Sequence, residues 1–121
     1  MEMIPHWRMT IRTPNWHPPT DVYETDEAIF VRIEIAGMRE ENFEIELVGQ
    51  VLSIRGARAD IAERRAFHQM EITFGEFACE IGLPGPVHLD QVEALYENGF
   101  LRIRLPKVQP RQIPVEDSNP E

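Results

Sequence analysis

Long hydrophobic runs, cysteine and lysine are what this sequence has least of. No apolar stretch approaches the roughly 20 residues that a membrane-crossing helix needs, and residues 1 to 20 lack the apolar core of a secretory leader. An intracellular, cytoplasmic chain is the expectation. The single cysteine, Cys79, excludes an internal disulfide, which fits a reducing compartment. It falls in step with the apolar members of an alternating strand, so it reads as a core residue and not a reactive one. Of twelve basic residues only Lys107 is a lysine, and twenty-one acidic residues leave a formal net charge of −9. A surface of that sign repels phosphate backbones and anionic lipid, so neither nucleic acid nor membrane is an expected partner.

Motifs that carry chemistry are missing as well. No glycine-rich turn ends in a lysine and a hydroxyl residue, so an ATP-driven machine is not expected. His6, His17, His68 and His88 have no spacing that sets two imidazoles on one face, and no cysteine pair accompanies them. No metal and no cofactor are expected; a Met-His copper site near the N-terminus is a poorer reading than a simply apolar arm. Ser53, Ser118 and Cys79 are the available nucleophiles, and none lies in a nucleophile-elbow context. The acidic pairs Asp26-Glu27 and Glu40-Glu41 fall in turns and read as solvated charge. No catalytic residue, and hence no enzyme, is expected.

What is present is a chain of 121 residues with 42% apolar content, enough for one domain with a core. Residues 98 to 107 organise it. Asn98-Gly99 supplies the two positive-φ positions of a tight hairpin turn, and Leu101, Ile103 and Leu105 then alternate with Arg102 and Arg104. Pro106 ends that strand. Ile29, Val31, Ile33 and Ile35 alternate likewise with Phe30, Arg32 and Glu34. Phe43, Ile45 and Leu47 follow the same rule, Leu52 and Ile54 return after Gly49-Gln50, and residues 77 to 83 and 92 to 96 add two more strands. Short strands, frequent turns and no long helix predict an all-β, immunoglobulin-like antiparallel sandwich, with one face of each sheet wet.

Three stretches do not fit a simple meander. Residues 1 to 18 form an apolar arm broken by prolines, with Trp7, Met9, Ile11 and Trp16 among its members. Residues 57 to 74 are a long connection, read as a helical turn over 59 to 66 and an alternating stretch over 67 to 74. Connections of that length usually serve a function or reach elsewhere. Ile113-Pro114-Val115 stands apart in the extension 108 to 121, two branched side chains on one side of an extended segment stiffened by proline. Docking on another chain and folding back on its own domain look alike in such a segment.

Taken together these residues resemble the small heat shock proteins, the family of the α-crystallin domain, in its bacterial and plant branch. The matching pieces are Pro19-Thr20-Asp21-Val22-Tyr23-Glu24-Thr25-Asp26, Glu34-Ile35-Ala36-Gly37-Met38, Val51-Leu52-Ser53-Ile54-Arg55-Gly56, and Gly75-Glu76-Phe77 with Leu83-Pro84. Residues 97 to 107 and Ile113-Pro114-Val115-Glu116 complete the set in the family's order.

The resemblance implies an α-crystallin domain over residues 19 to 107 and an ATP-independent holdase that binds partly unfolded clients, with Trp7, Met9, Ile11 and Trp16 as client-binding arm residues. It implies a homodimer in which the 57 to 74 connection pairs with a partner's 21 to 24 strand, through Val22, Tyr23, Phe67, His68 and Met70. It further implies a higher homo-oligomer in which Ile113 and Val115 dock into a groove lined by Ile45, Leu47, Val92 and Ala94. The arm is short for the family, residues 77 to 83 read Ala-Cys-Glu-Ile-Gly where relatives commonly carry arginines, and Ala36 stands where proline is usual. The alternative class is a monomeric CS-domain-like co-chaperone adaptor that binds one folded partner. Neither the Ile-Pro-Val segment nor the long connection has a use in such a monomer. An enzymatic or carbohydrate-binding sandwich would need a polar or aromatic cluster on one rim, which the sequence does not offer.

Overall fold

The computed structural model describes residues 16–118. Alternation of side chains shapes it. Seven strands follow in order: β1 (Thr20–Glu24), β2 (Ala28–Glu34), β3 (Phe43–Val48), β4 (Val51–Arg58), β5 (Gly75–Gly82), β6 (Glu93–Glu97) and β7 (Phe100–Pro106). They build two antiparallel sheets, β1-β2-β7-β6 and β3-β4-β5, stacked as a sandwich. Among the described residues the helical elements are two short 3-10 turns, Glu40–Asn42 and Leu89–Gln91.

In β2 the branched residues Ile29, Val31 and Ile33 are buried while Arg32 and Glu34 face water, as a half-buried strand requires. The β2–β7 register sets Val31 opposite Ile103 and Ile33 opposite Leu101, so apolar pairs meet on the inner face. Leu52 and Ile54 of β4 and Phe77 and Cys79 of β5 close the core from the other sheet. The β6–β7 hairpin turns at Asn98 (φ 53°) and Gly99 (φ 79°), the paired positive φ angles that make its twist compatible with the strands. Gly56 has a different role: a Cβ there would lie 2.7 Å from the Asn42 carbonyl oxygen and 2.7 Å from the Phe77 ring.

Residues 59 to 74 carry neither helix nor strand. The helical turn expected over 59 to 66 does not form, because so short a helix needs a buried face and residues 59 to 66 are all exposed. The alternating stretch over 67 to 74 has no ladder partner among the described residues, and without one a strand is not defined.

Candidate functional site

β3 and β6 are edge strands of opposite sheets, and the sandwich brings them together at one side. Tyr96 pins the junction. Its ring lies 5.2 Å from that of Phe43, its hydroxyl donates to the Ile35 carbonyl at 2.8 Å, and the same oxygen accepts the Met38 N–H at 3.3 Å. Between the two edges runs a cleft of about 280 Å³, lined by Phe43, Ile45, Ala94, Leu95, Tyr96 and Leu101, with Glu40 as its charged member. Ile45 is 37% exposed, although its neighbour across the ladder, Ile54, is fully buried. An apolar side chain at an unpaired edge is what an incoming strand can cover.

Of the four groove residues expected from sequence, Ile45 and Ala94 line this cleft. Leu47 and Val92 are partly buried against the core instead. Phe43, Tyr96, Leu95 and Leu101 were not anticipated, since strand periodicity says which face a residue is on and not how near it lies to a sheet edge.

The C-terminal extension leaves the cleft uncovered. Its root is fastened to the β1–β2 turn: Lys107 Nζ lies 2.7 Å from the Glu24 carboxylate and 3.0 Å from the Thr25 carbonyl, and Gln109 Nε2 donates to the Asp26 carbonyl at 3.0 Å. Beyond it the chain forms no strand up to Ser118, and Ile113 and Val115 are 78% and 95% exposed. The reading in which this segment folds back as a last strand of its own domain is therefore not what the chain adopts.

The expected swapping residues lie on two exposed stretches. β1 is hydrogen-bonded to β2 and forms an edge of its sheet. Val22 opposes the buried Val31 yet stays 45% exposed, and Tyr23 stacks on Phe30 with ring centroids 5.1 Å apart. In the long connection, Phe67, His68 and Met70 are exposed, and Ile72 with them. The polar contacts of the connection are largely local, including Arg65 with Asp60 and Gln69 with Glu71, and the Arg65 guanidinium lies over the Phe67 ring. The structure does not bring β1 and the connection together within one chain.

Of the expected arm residues, Trp7, Met9 and Ile11 lie outside the described residues. Trp16 is described, and it packs on the sandwich: its Nε1–H donates to the Gly75 carbonyl at 3.2 Å and its ring meets Phe77 edge to face at 5.7 Å.

Comparison with known proteins decides the family. Residues 21–118 match the Hsp20/alpha crystallin family. The chain belongs to this family. Small heat shock protein C2 of Rickettsia felis is 32% identical over 95 residues, covering 77% of this chain and 62% of that protein. Spore protein SP21 of Stigmatella aurantiaca is 35% identical over 113 residues, covering 89% of this chain and 67% of its own length. The chain thus spans about two thirds or less of these curated relatives. Among solved structures, heat shock protein 16.0 from Schizosaccharomyces pombe matches with a TM-score of 0.73 at 26% identity, over 87% of this chain and 99% of that one. HspA from Xanthomonas axonopodis matches with a TM-score of 0.71 at 29% identity, over 77% of this chain and 95% of that one. The immunoglobulin-like sandwich read from alternation is thus the α-crystallin domain of a small heat shock protein family member.

Proposed function

We propose that this chain is an ATP-independent holdase chaperone that works as a dimer-based homo-oligomer in the cytoplasm, holding partly unfolded proteins against aggregation without catalysing a reaction. The observation that carries this reading is a mismatch of exposure. Ile113 and Val115 are 78% and 95% exposed, while the chain's own cleft between β3 and β6 stands open with Ile45 and Leu95 uncovered. Two branched apolar side chains spaced for an extended strand suit that cleft in a neighbouring subunit. Burying each contributes roughly 1.5–3 kcal/mol before ordering costs, so one contact is reversible. Many such contacts in a symmetric assembly hold together and still exchange.

The exposed edge of β1 and the apolar side chains of the 59 to 74 connection support strand exchange between two subunits, with Val22 and Tyr23 on one side and Phe67, His68 and Met70 on the other. In that arrangement the connection gains the ladder partner it lacks in a single chain. Clients are bound by the apolar arm, Trp7, Met9 and Ile11 with Trp16 at its root, and by the cleft when its Ile-Pro-Val occupant leaves. Nucleic acid and membrane are not partners in this reading, consistent with the net charge of −9.

Light scattering on the parent chain and on the Ile113→Ala, Val115→Ala double variant tests the proposal. A large assembly that falls to dimers in the variant is the expected result. A monomer in both would remove strand exchange and tail docking together and leave the single-partner adaptor as the better reading.

A further inference from the structure

β5 is the outer strand of the smaller sheet, paired on one side with β4. Its other edge is not bare. Trp16 makes a parallel bridge to Phe77, its indole N–H donates to the Gly75 carbonyl at 3.2 Å, and His17 Nδ1 lies 3.0 Å from the Ala78 carbonyl, where it must carry a proton. The indole rests edge to face on Phe77 at 5.7 Å, and the Arg58 guanidinium sits 4.5 Å from its centroid. Just behind it Pro18 is fully buried and its carbonyl accepts the Thr20 hydroxyl at 2.9 Å. Trp16 is therefore held on the β5 edge by one backbone bridge and its indole, with the His17 ring beside it and buried Pro18 behind.

The seat combines three things that recognise an extended peptide: backbone carbonyls on a sheet edge that no further strand of the sandwich pairs, an aromatic shelf and a cation over the ring. Its present occupant defines its chemistry, an extended segment carrying tryptophan. Trp16 is partly buried there, packed at the rim of the core and not inside it. Arg58 also bonds the Thr73 carbonyl through Nε at 3.0 Å and the Ala36 carbonyl at 3.3 Å, and lies 5.3 Å from the Phe74 ring centroid. The cation over Trp16 is thereby tied to the end of the 59 to 74 connection.

We propose that the β5 edge with Phe77 and Arg58 is a binding site for extended, aromatic-bearing segments of unfolded polypeptide, and that Trp16 fills it in cis as an internal ligand which such a segment displaces. This rests on the chaperone reading for its physiological occupant and adds a second client site, distinct from the β3–β6 cleft. Because Arg58 holds both the indole and Thr73, drawing the connection out toward a partner subunit loosens Trp16, so that strand exchange and opening of the seat are linked.

The test is direct binding of a fluorescein-labelled peptide with the sequence of residues 11 to 20 to the full chain, followed by anisotropy. The Trp16→Ala chain, freed of its cis competitor, is expected to bind about tenfold tighter than the parent. Adding Arg58→Gln to that chain weakens binding about two- to fivefold, and replacing the tryptophan of the peptide by alanine abolishes it. Equal affinity of parent and Trp16→Ala chains, or binding that survives replacement of the peptide's tryptophan by alanine, overturns the proposal. A second measurement leaves the seat intact: in Trp7→Phe, Trp16 is the sole remaining tryptophan. Its emission is expected to shift to the red when the same peptide carrying phenylalanine displaces it, and an unchanged spectrum in excess peptide also overturns the proposal. Failure of the parent chain to suppress aggregation would count against the chaperone reading alone, since peptide binding is read without a client.

Discussion

At Gly56 the need is for space. The Asn42 carbonyl, 2.7 Å from where a Cβ would stand, is backbone and cannot swing aside, and Phe77 on the other side is locked in the core. Gly56→Ala is expected to cost about 1–3 kcal/mol, read as a lower urea midpoint at unchanged slope. An unchanged midpoint would mean that β4 and the turn before β3 are not packed this closely. Cys79 is governed by burial instead. Burial pushes its thiol above the ordinary value of 9.0, and the Thr20 hydroxyl 3.6 Å away offsets part of the rise. The unfolded chain releases this proton near 9.0 while the folded chain holds it longer. Between those two values the folded state binds more protons, so stability is fully present below the ordinary thiol range and declines as pH rises through it. Urea midpoints at about pH 8 and about pH 10 are expected to fall for the parent, and to fall less for Cys79→Ala.

The strands show how one residue type does opposite work in different elements. Ile103 in β7 is buried against both sheets, and Ile103→Ala is expected to lose about 2–5 kcal/mol through lost transfer energy and the cavity left behind. Ile113 in the extension has 78% of its surface in water. Ile113→Ala should therefore leave the unfolding of a subunit within about 0.5 kcal/mol of the parent, while changing the mass seen by light scattering. A large loss of subunit stability at Ile113, measured at a concentration where the parent is dissociated, would place the extension on its own domain. The 59 to 74 connection belongs with the extension: its apolar side chains, Ile61, Phe67, Met70 and Ile72, are each more than half exposed. Such a segment in water contributes little to its own domain, and in the proposed strand exchange a partner strand would supply the pairing it lacks.

For the whole molecule, the described residues keep two separate apolar surfaces open: the β3–β6 cleft and the exposed face of the connection. A net charge of −9 makes such chains repel one another, so the proposed association depends on those surfaces meeting matching partners. If the arm is a client-binding element, deleting residues 1 to 17 lowers suppression of a test client's aggregation. Unchanged suppression in a light-scattering assay would remove the arm from the proposal. That deletion also takes away Trp16, which in the parent covers the β5 edge. Comparing it with deletion of residues 1 to 15 separates loss of the arm from opening of the seat.

Alternation in sequence determined which face of each strand is buried, because side chains project to opposite sides of a strand whatever it pairs with. Ile29, Val31, Ile33, Leu52, Ile54, Leu101, Ile103 and Leu105 were all legible in this way, as were the Asn98-Gly99 turn and the burial of Cys79. Resemblance of ordered short motifs pointed further, to the family. Position at an edge was not legible, because it depends on strand order and on how two sheets are offset, both non-local. Ile45 and Leu47 have the same alternation, yet one lines the cleft and the other packs inward. Trp16 reads as part of a loose arm in sequence, and only the arrival of β5, some 60 residues later in the chain, gives its indole a carbonyl and a ring to rest on. Periodicity is a property of the local backbone and survives without the fold. Contact between distant edges exists only once the sheets have stacked.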